Sequence, residues 1–437
     1  MDADSWPKVR ATLPQAARTF TEASGFQPQA GSFLLLPGEG GIAGALLACD
    51  HRDPFLPGKL ATLLPAGVWR FASPPADQKL AALAFALGGY RFSRYRAEEE
   101  KSKAALELPP DVDGAELSRI VEAVFLVRDL VNTPANDLGP AEIEEAARSL
   151  AKRFGGVMRT VVGDDLLKEN FPLVHAVGKA STRAPRLIDL RWGDAKHPKV
   201  ALVGKGVVFD TGGLDLKPAS GMLLMKKDMG GAASALGLAS MIMDAKLPVH
   251  LRVVIPAVEN AVSGDAFRPG DVFKSRKGAT VEIGNTDAEG RLILADALAL
   301  ADEEAPDLIV DFSTLTGAAR VALGPELPAA FTDDEKLATE LSSFAAREAD
   351  PFWRLPLWRP YQSMLDSKIA DTNNVSASAF AGAITAALFL SRFVERAKSW
   401  LHFDLFAWNS SSRPGRPEGG EAQTIRALYA YLQERYR

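Results

Sequence analysis

From about residue 134 onward, short apolar runs rich in β-branched residues alternate with helical patterns, and this alternation restricts the fold more than any other feature of the chain. Val200–Val203, Leu251–Ile255, Ala279–Ile283 and Leu308–Phe312 read as strands. The stretches 229–245, 290–303 and 333–348 carry helical periodicity. Strands connected through helices are parallel, because such a connection must cross the sheet. The expected class is therefore α/β, with a doubly wound, mainly parallel sheet flanked by helices and functional residues at its strand ends. A chain of 437 residues is too long for one ordinary core. Two domains are expected: a small N-terminal α/β domain over 1–112 and a larger one over 113–437, which opens with a connecting helix at 113–133.

In the N-terminal third, Ser32–Leu36 and Ile42–Ala48 flank a Pro-Gly-Glu-Gly-Gly turn and read as two strands. A helix is expected near 77–87, strand-like material over Gly89–Arg96, and a charged, then Pro-rich linker over 97–113. The run Ser410–Gly420 is a polar loop. Hydrophobic content of 47% and charged content of 24% describe an ordinary globular chain, and a net charge of −5 argues against nucleic acid as a partner. One cysteine, Cys49, excludes an intramolecular disulfide framework. The N-terminus lacks the apolar core of a signal peptide, and the apolar stretch Leu80–Tyr90 is too short to span a bilayer. A cytoplasmic protein without a membrane partner is expected.

The chemistry concentrates in Asn285-Thr-Asp-Ala-Glu-Gly-Arg-Leu292. Asp287, Glu289 and Arg291 occupy alternate positions, which in an extended backbone point to one side. Gly290 suits a bend before the helical run that starts at Leu292. Two carboxylates and a guanidinium then converge between a strand and a helix. Like charges converge at a cost unless a cation lies between them, so the pattern reads as a metal site. A second cluster follows the strand at 199–203: Lys205, Asp210, Lys217 and Asp228, set among glycines. Glycine-rich loops also cradle phosphates, but neither the Walker nor the dinucleotide spacing is present. Taken singly, Asp210 and Asp228 read as capping residues and Lys205 as a surface lysine. The two clusters together point elsewhere.

Together they resemble the leucyl (cytosol) aminopeptidase family of two-metal exopeptidases. The resemblance runs through Arg128–Asp137, the Lys205–Asp210 and Lys217–Asp228 spacings, and Pro269-Gly-Asp-Val272. It continues through Asn285–Leu292, Thr314-Leu-Thr-Gly-Ala318 and Gly382–Ala387. It implies that the domain over 113–437 is catalytic, with Lys205, Asp210, Asp228, Asp287 and Glu289 as metal ligands and Asp210 and Glu289 bridging two ions. Lys217 and Arg291 become the catalytic pair, with bicarbonate at Arg291 acting as base. Met225, Thr314 and Gly317 match positions lining the first side-chain pocket, which suits apolar residues such as leucine. Met225 read alone is equally compatible with core packing. The resemblance also implies a homohexamer of two stacked trimers, N-terminal domains outermost, whose enclosed sites admit short peptides.

The residue chemistry agrees with that assignment. Four carboxylates offset two divalent cations, and a lysine ligates only after losing its proton. All five histidines (His51, His175, His197, His250, His402) lie outside both clusters, leaving an oxygen-rich site suited to zinc, manganese or magnesium. The expected reaction is hydrolysis of the N-terminal peptide bond by a metal-bridging water. The chain departs from the family at Ala261-Val262, where Met-Pro is usual, and at Leu405-Phe-Ala-Trp408, where an Ala-Gly stretch is usual. His402-Phe-Asp404 suggests a charge pair, although a structural histidine is the simpler reading. Two rival functions remain: a two-metal phosphoesterase, and a binding protein that keeps the fold without catalysis. The second has no need for Lys217 and Arg291 together.

Overall fold

The structure is a computed structural model that describes residues 1–73, 75–96 and 104–437. The chain divides into two compact units, Met1–Phe125 with Ser411–Glu418, and Leu126–Ser410 with Gly419–Arg437. In the first unit, Phe33–Gly38 and Gly41–Leu47 form the expected antiparallel hairpin, with a register shift at Leu36/Pro37. Proline cannot donate to the ladder, which accounts for the irregularity there. Leu36 and Leu46 bury against Ala17 of the helix Gln15–Ala23. Asp77 caps the helix Gln78–Gly88 by accepting from the Leu80 amide.

Two expectations for this unit are corrected. Gly89–Arg96 forms no strand; its backbone is irregular, and the Arg91 guanidinium donates to the Tyr90 carbonyl at 2.7 Å. Of the proposed linker, 97–103 lies outside the described residues, and Ala104–Leu106 pairs in parallel with Gly67–Trp69. The polar loop near 410–420 also has a packing role. A Cβ on Gly58 would lie 2.3 Å from the Gly415 amide nitrogen, and Gly415 itself has φ +68°. Only glycine allows both the close approach and that backbone conformation.

The second unit is built on a nine-stranded sheet. Its order is Trp353–Arg354, Ala329–Phe331, Trp400–Asp404, Leu308–Ser313, Lys199–Gly204, His250–Asn260, Arg186–Trp192, Val157–Val162. Gly206–Asp210 also pairs with His250–Asn260. The central pairs are parallel; Ala329–Phe331, Arg186–Trp192 and Val157–Val162 add antiparallel pairings towards the edges. One register row runs Leu401, Val310, Leu202, Val253, Leu190, every member buried. Continuous burial of this kind requires cover on both faces, which explains why the strands read as unbroken apolar runs. The helix Gly230–Asp244 packs with Pro140–Phe154 and Ile425–Arg435. Glu289–Asp302 packs instead with Pro172–Gly178 and Gly382–Ser391.

The expected strand at Ala279–Ile283 is real as Thr280–Glu282, but it belongs to a separate three-stranded sheet with Val272–Lys274 and Thr372–Asn373. A short β-rich run identifies a strand and carries no signal about which sheet it joins. Within the motif Arg128–Asp137, Arg128 and Asn132 hold the fold together. Arg128 lies wholly buried at the end of the helix Gly114–Asn132 and pairs with Glu421, while Asn132 Oδ1 accepts from the Gly420 amide at 2.9 Å. A buried pair of this kind tolerates loss of neither partner.

Candidate metal centre

The centre forms where the parallel strands end. Lys205 follows Lys199–Gly204, Asp210 closes Gly206–Asp210, and Thr314 follows Leu308–Ser313. Asp228 sits on the 3-10 turn Met225–Met229. Asp287 sits on the 3-10 turn Thr286–Ala288, and Glu289 opens the helix Glu289–Asp302. The octapeptide is thus a turn running into a helix, and the expected extended backbone is corrected. Its charges converge because the turn carries Asp287 ahead of the helix while Glu289 and Arg291 occupy the first helical turn.

Carboxylate oxygens of Asp210, Asp287 and Glu289 all lie within 4.8 Å of one another. The Lys205 ammonium lies 2.8 Å from Asp228 Oδ2 and 3.0 Å from Glu289 Oε1, and donates to the Thr314 carbonyl at 3.1 Å. The Lys217 ammonium lies 2.8 Å from Asp210 Oδ2 and also contacts Asp287 Oδ1. Gly290 has a role other than the expected bend. It lies inside the helix, where an added Cβ would come within 2.5 Å of Lys205 Cε and 2.7 Å of its Nζ. Glycine at this position lets the lysine reach Glu289.

The ionisation of the group reflects crowding in a buried place. Burial, then the charge of Asp210, pushes the Glu289 carboxyl up to about 8 and the Asp287 carboxyl up to about 6. Burial likewise raises Asp228 against the opposing pull of Lys205. Burial alone would depress Lys205, but Asp228, Glu289 and Asp210 outweigh it and hold the ammonium well above the lysine range. Asp210 and Asp287 do the same for Lys217. Burial lowers Arg291 to about 10.

The donor set fits divalent metal. Four carboxylates and an amine converge, and Glu289 Oε2, though buried, has no hydrogen-bond partner among the described residues. Such an orphaned oxygen is costly unless a cation takes it. Asp210 is pre-oriented, its Oδ1 accepting from the Gly212 amide at 2.9 Å and from Asn260 Nδ2 at 2.8 Å. Thr314 Oγ1 donates to Asp228 Oδ1 at 2.7 Å. Arg291 donates from Nη1 to the Asn374 carbonyl at 2.5 Å, and its Nε is unpartnered among the described residues.

Of the residues expected to line a side-chain pocket, Thr314 is within the cluster, Met225 is half-buried at the head of the Asp228 turn, and Gly317 is exposed with nothing within 4 Å of a would-be Cβ. The divergent segment after Asp404 places the Phe406 ring 4.5 Å from Lys227 Nζ and 5.5 Å from Arg320 Cζ. Arg320 lies on the helix Gly317–Leu323. His402 is structural: its Nδ1 lies 2.6 Å from Asp311 Oδ1, so its partner is Asp311 and not Asp404. Asp404 instead accepts from the Leu315 and Thr316 amides at 2.9 and 3.1 Å, fixing the turn that carries Thr314. Sequence reading saw Asp404 only as a partner for His402 and missed Asn260 and Asn374, because a lone polar residue at a strand end carries no spacing signal.

A carboxylate cluster with lysines at the carboxyl ends of a doubly wound sheet defines the class: a metal-dependent enzyme built on a mainly parallel α/β sheet. Residues 125–429 match the model of the cytosol aminopeptidase family catalytic domain, and residues 2–109 match that of the M17 aminopeptidase N-terminal domain. A probable cytosol aminopeptidase of Roseiflexus castenholzii is 40% identical over 365 residues, covering 80% of this chain and 74% of the relative. The crystal structure of the cytosol aminopeptidase of Coxiella burnetii superposes with a TM-score of 0.96 at 49% identity, covering 100% of this chain and 96% of that one. The bottromycin maturation enzyme BotP, in complex with Mn, gives a TM-score of 0.88 at 33% identity over 96% of each chain. The chain belongs to the cytosol aminopeptidase family, and it is a hydrolase of that metal-dependent kind.

Proposed function

We propose that this chain is a two-metal aminopeptidase that releases N-terminal residues, with a preference for apolar ones such as leucine, from short peptides in the cytoplasm. The convergence of Asp210, Asp287 and Glu289 with Lys205 and Asp228 supports the reading. In it, Lys205, Asp210, Asp228, Asp287 and Glu289 would together hold the two ions. Zinc or manganese suits the donors, with magnesium a poorer match for an amine ligand; a similar enzyme is in complex with Mn. Bound there, the ions would supply an acidified attacking water and an electrophile for the scissile carbonyl. Lys217 stands beside Asp210 and Asp287, where its ammonium can meet an oxyanion once cations take over those carboxylates. Arg291 presents a buried Nε, unpartnered among the described residues, that suits bicarbonate, which would act as the base.

Assays of manganese- and zinc-loaded protein on aminoacyl p-nitroanilides, with N-acetylated substrates as controls, test the reading. Leucine derivatives should be cleaved and blocked ones spared; hydrolysis of a chromogenic phosphate ester instead would favour a phosphoesterase.

Gly317 tests the side-chain pocket. The open space beside it means that Gly317→Val folds without a clash and narrows the pocket. Its KM for leucine p-nitroanilide should rise on the order of 10–200-fold, the roughly 1–3 kcal/mol worth of a methylene or two in an apolar pocket, while the alanine derivative is little affected. Equal effects on both substrates would remove Gly317 from the pocket.

We also propose a homohexamer, since enclosure would restrict an enzyme acting on free N-termini to flexible peptides, and closed point symmetry leaves no interface open. No described helix is long and apolar enough to cross a membrane. Light scattering at several concentrations should give six chains per particle; a fully active monomer would refute the assembly and leave the chemistry standing.

A further inference from the structure

Beyond Glu282 the chain turns towards the metal cluster: Ile283 still bonds Asp271 and Gly270 on one side, but the parallel neighbour on the other side ends. The parallel pairing of Val281–Glu282 with Thr372–Asn373 ends there, the last backbone bond running from the Asn374 amide to the Glu282 carbonyl at 2.9 Å. The wholly buried Asn374 side chain then continues the pairing. Its Oδ1 accepts from the Gly284 amide at 2.8 Å and the Asn285 amide at 3.3 Å. Its Nδ2 donates to the Asn285 carbonyl at 2.8 Å and the Ala288 carbonyl at 3.4 Å. A carboxamide has the acceptor and donors of a peptide group, so one side chain substitutes for a missing stretch of strand. The Asn374 main-chain carbonyl meanwhile accepts Nη1 of Arg291 at 2.5 Å.

We propose that Asn374 is a positioning residue for the reaction, holding the turn that carries Asp287 and the guanidinium of Arg291 in fixed relation to each other. The inference rests on the two-metal aminopeptidase reading. The opposite side of the turn has its own supports: Asn260 Nδ2 donates to the Thr286 carbonyl at 3.1 Å, and Asp215 Oδ2 accepts the Thr286 amide at 2.7 Å. Loss of the Asn374 amide therefore loosens Asp287 and leaves the cluster assembled. A partner that orients a metal ligand from behind is typically worth about 10–100-fold in metal affinity or activity.

The test compares Asn374→Ala with Asn373→Ala in the full chain. Asn373 is a neighbouring control whose side chain accepts from the Val375 amide. Manganese titration by calorimetry should show one of two binding steps weakened about 10–100-fold in Asn374→Ala and the other unchanged. Asn373→Ala should match the wild type. The kcat on leucine p-nitroanilide should fall by a similar factor, and by less when Asn374→Ala is added to Arg291→Ala, because the part of the loss that passes through Arg291 is then already spent and only the part through Asp287 remains. Unchanged manganese affinity, equal weakening of both steps with a lowered melting temperature, or full additivity with Arg291→Ala would each overturn the proposal. A wild type that binds two manganese ions yet cleaves no aminoacyl substrate would refute the functional reading instead, and the titration would still decide whether Asn374 positions Asp287.

Discussion

Glu289→Ala is expected to lose bound metal and, with it, all measurable peptide hydrolysis. Glu289 contributes the oxygen that has no other partner and opens the helix that anchors the cluster. Its removal deletes a proposed ligand, so affinity should fall by more than the ~10–100-fold that a supporting residue costs. The fold should survive, since the remaining thirteen residues of Glu289–Asp302 are buried and most are apolar. Elemental analysis after dialysis, together with the leucine p-nitroanilide assay, reads both effects. Chelation of the wild type should mimic the variant, and zinc, manganese or cobalt should restore it. Acid should act in the same direction. With the Glu289 carboxyl raised to about 8 and Asp287 to about 6, a cation must displace protons, so affinity falls as the pH falls below about 8 and binding releases protons. Full activity in demetallated protein, or metal retained by Glu289→Ala, would contradict the assignment.

How much of this was legible in the sequence varies with the kind of information each residue carries. The strands at Lys199–Gly204, His250–Asn260 and Leu308–Ser313 were recognisable because burial on both faces forces unbroken apolar runs. The helices at 230–244, 289–302 and 335–347 fell within a residue or two of their periodic patterns. Thr280–Glu282 was recognisable as a strand and misplaced among sheets, since a short β-rich run does not record which neighbour pairs. Gly89–Arg96 misled for a related reason: Tyr90 is buried and packs on Phe125 without any strand.

In the site, charge clustering located Lys205, Asp210, Lys217, Asp228, Asp287, Glu289 and Arg291, and the structure brings all seven together. The local geometry behind that clustering was read wrongly. An alternating triad can converge from an extended strand or from a turn followed by one helical turn, and the spacing does not separate the two. What distinguishes them is partly local, Asn285 capping the Asp287 amide, and partly tertiary, Asn374 and Asn260 satisfying the turn from chain-distant positions. Gly290 likewise reads as a bend until Lys205 is seen against it.

Lys217→Ala and Arg291→Ala are expected to keep both metals and lose catalysis, with kcat falling on the order of 10²–10³-fold for a missing oxyanion partner. The two variants should differ in the detail that the geometry supplies. Lys217 contacts Asp210 and Asp287 through its ammonium, so its removal also withdraws a positive charge that competes with cations for those carboxylates. Metal affinity in Lys217→Ala should therefore stay the same or rise while kcat falls. Among the described residues Arg291 makes no ion pair with the proposed ligands; its Nη1 is bound to Asn374 and its Nε has no hydrogen-bond partner among them, which leaves it to an incoming anion. Arg291→Ala should leave metal affinity unchanged, and added bicarbonate, if it stimulates the wild type, should no longer stimulate the variant. KM for leucine p-nitroanilide should change little in either, because an interaction made only in the transition state enters kcat and not substrate binding. If Lys217→Ala instead lost both ions while Glu289→Ala retained them, the roles of ligand and catalyst assigned here would be reversed, and the lysine bridging Asp210 and Asp287 would have to be counted as part of the metal-holding framework.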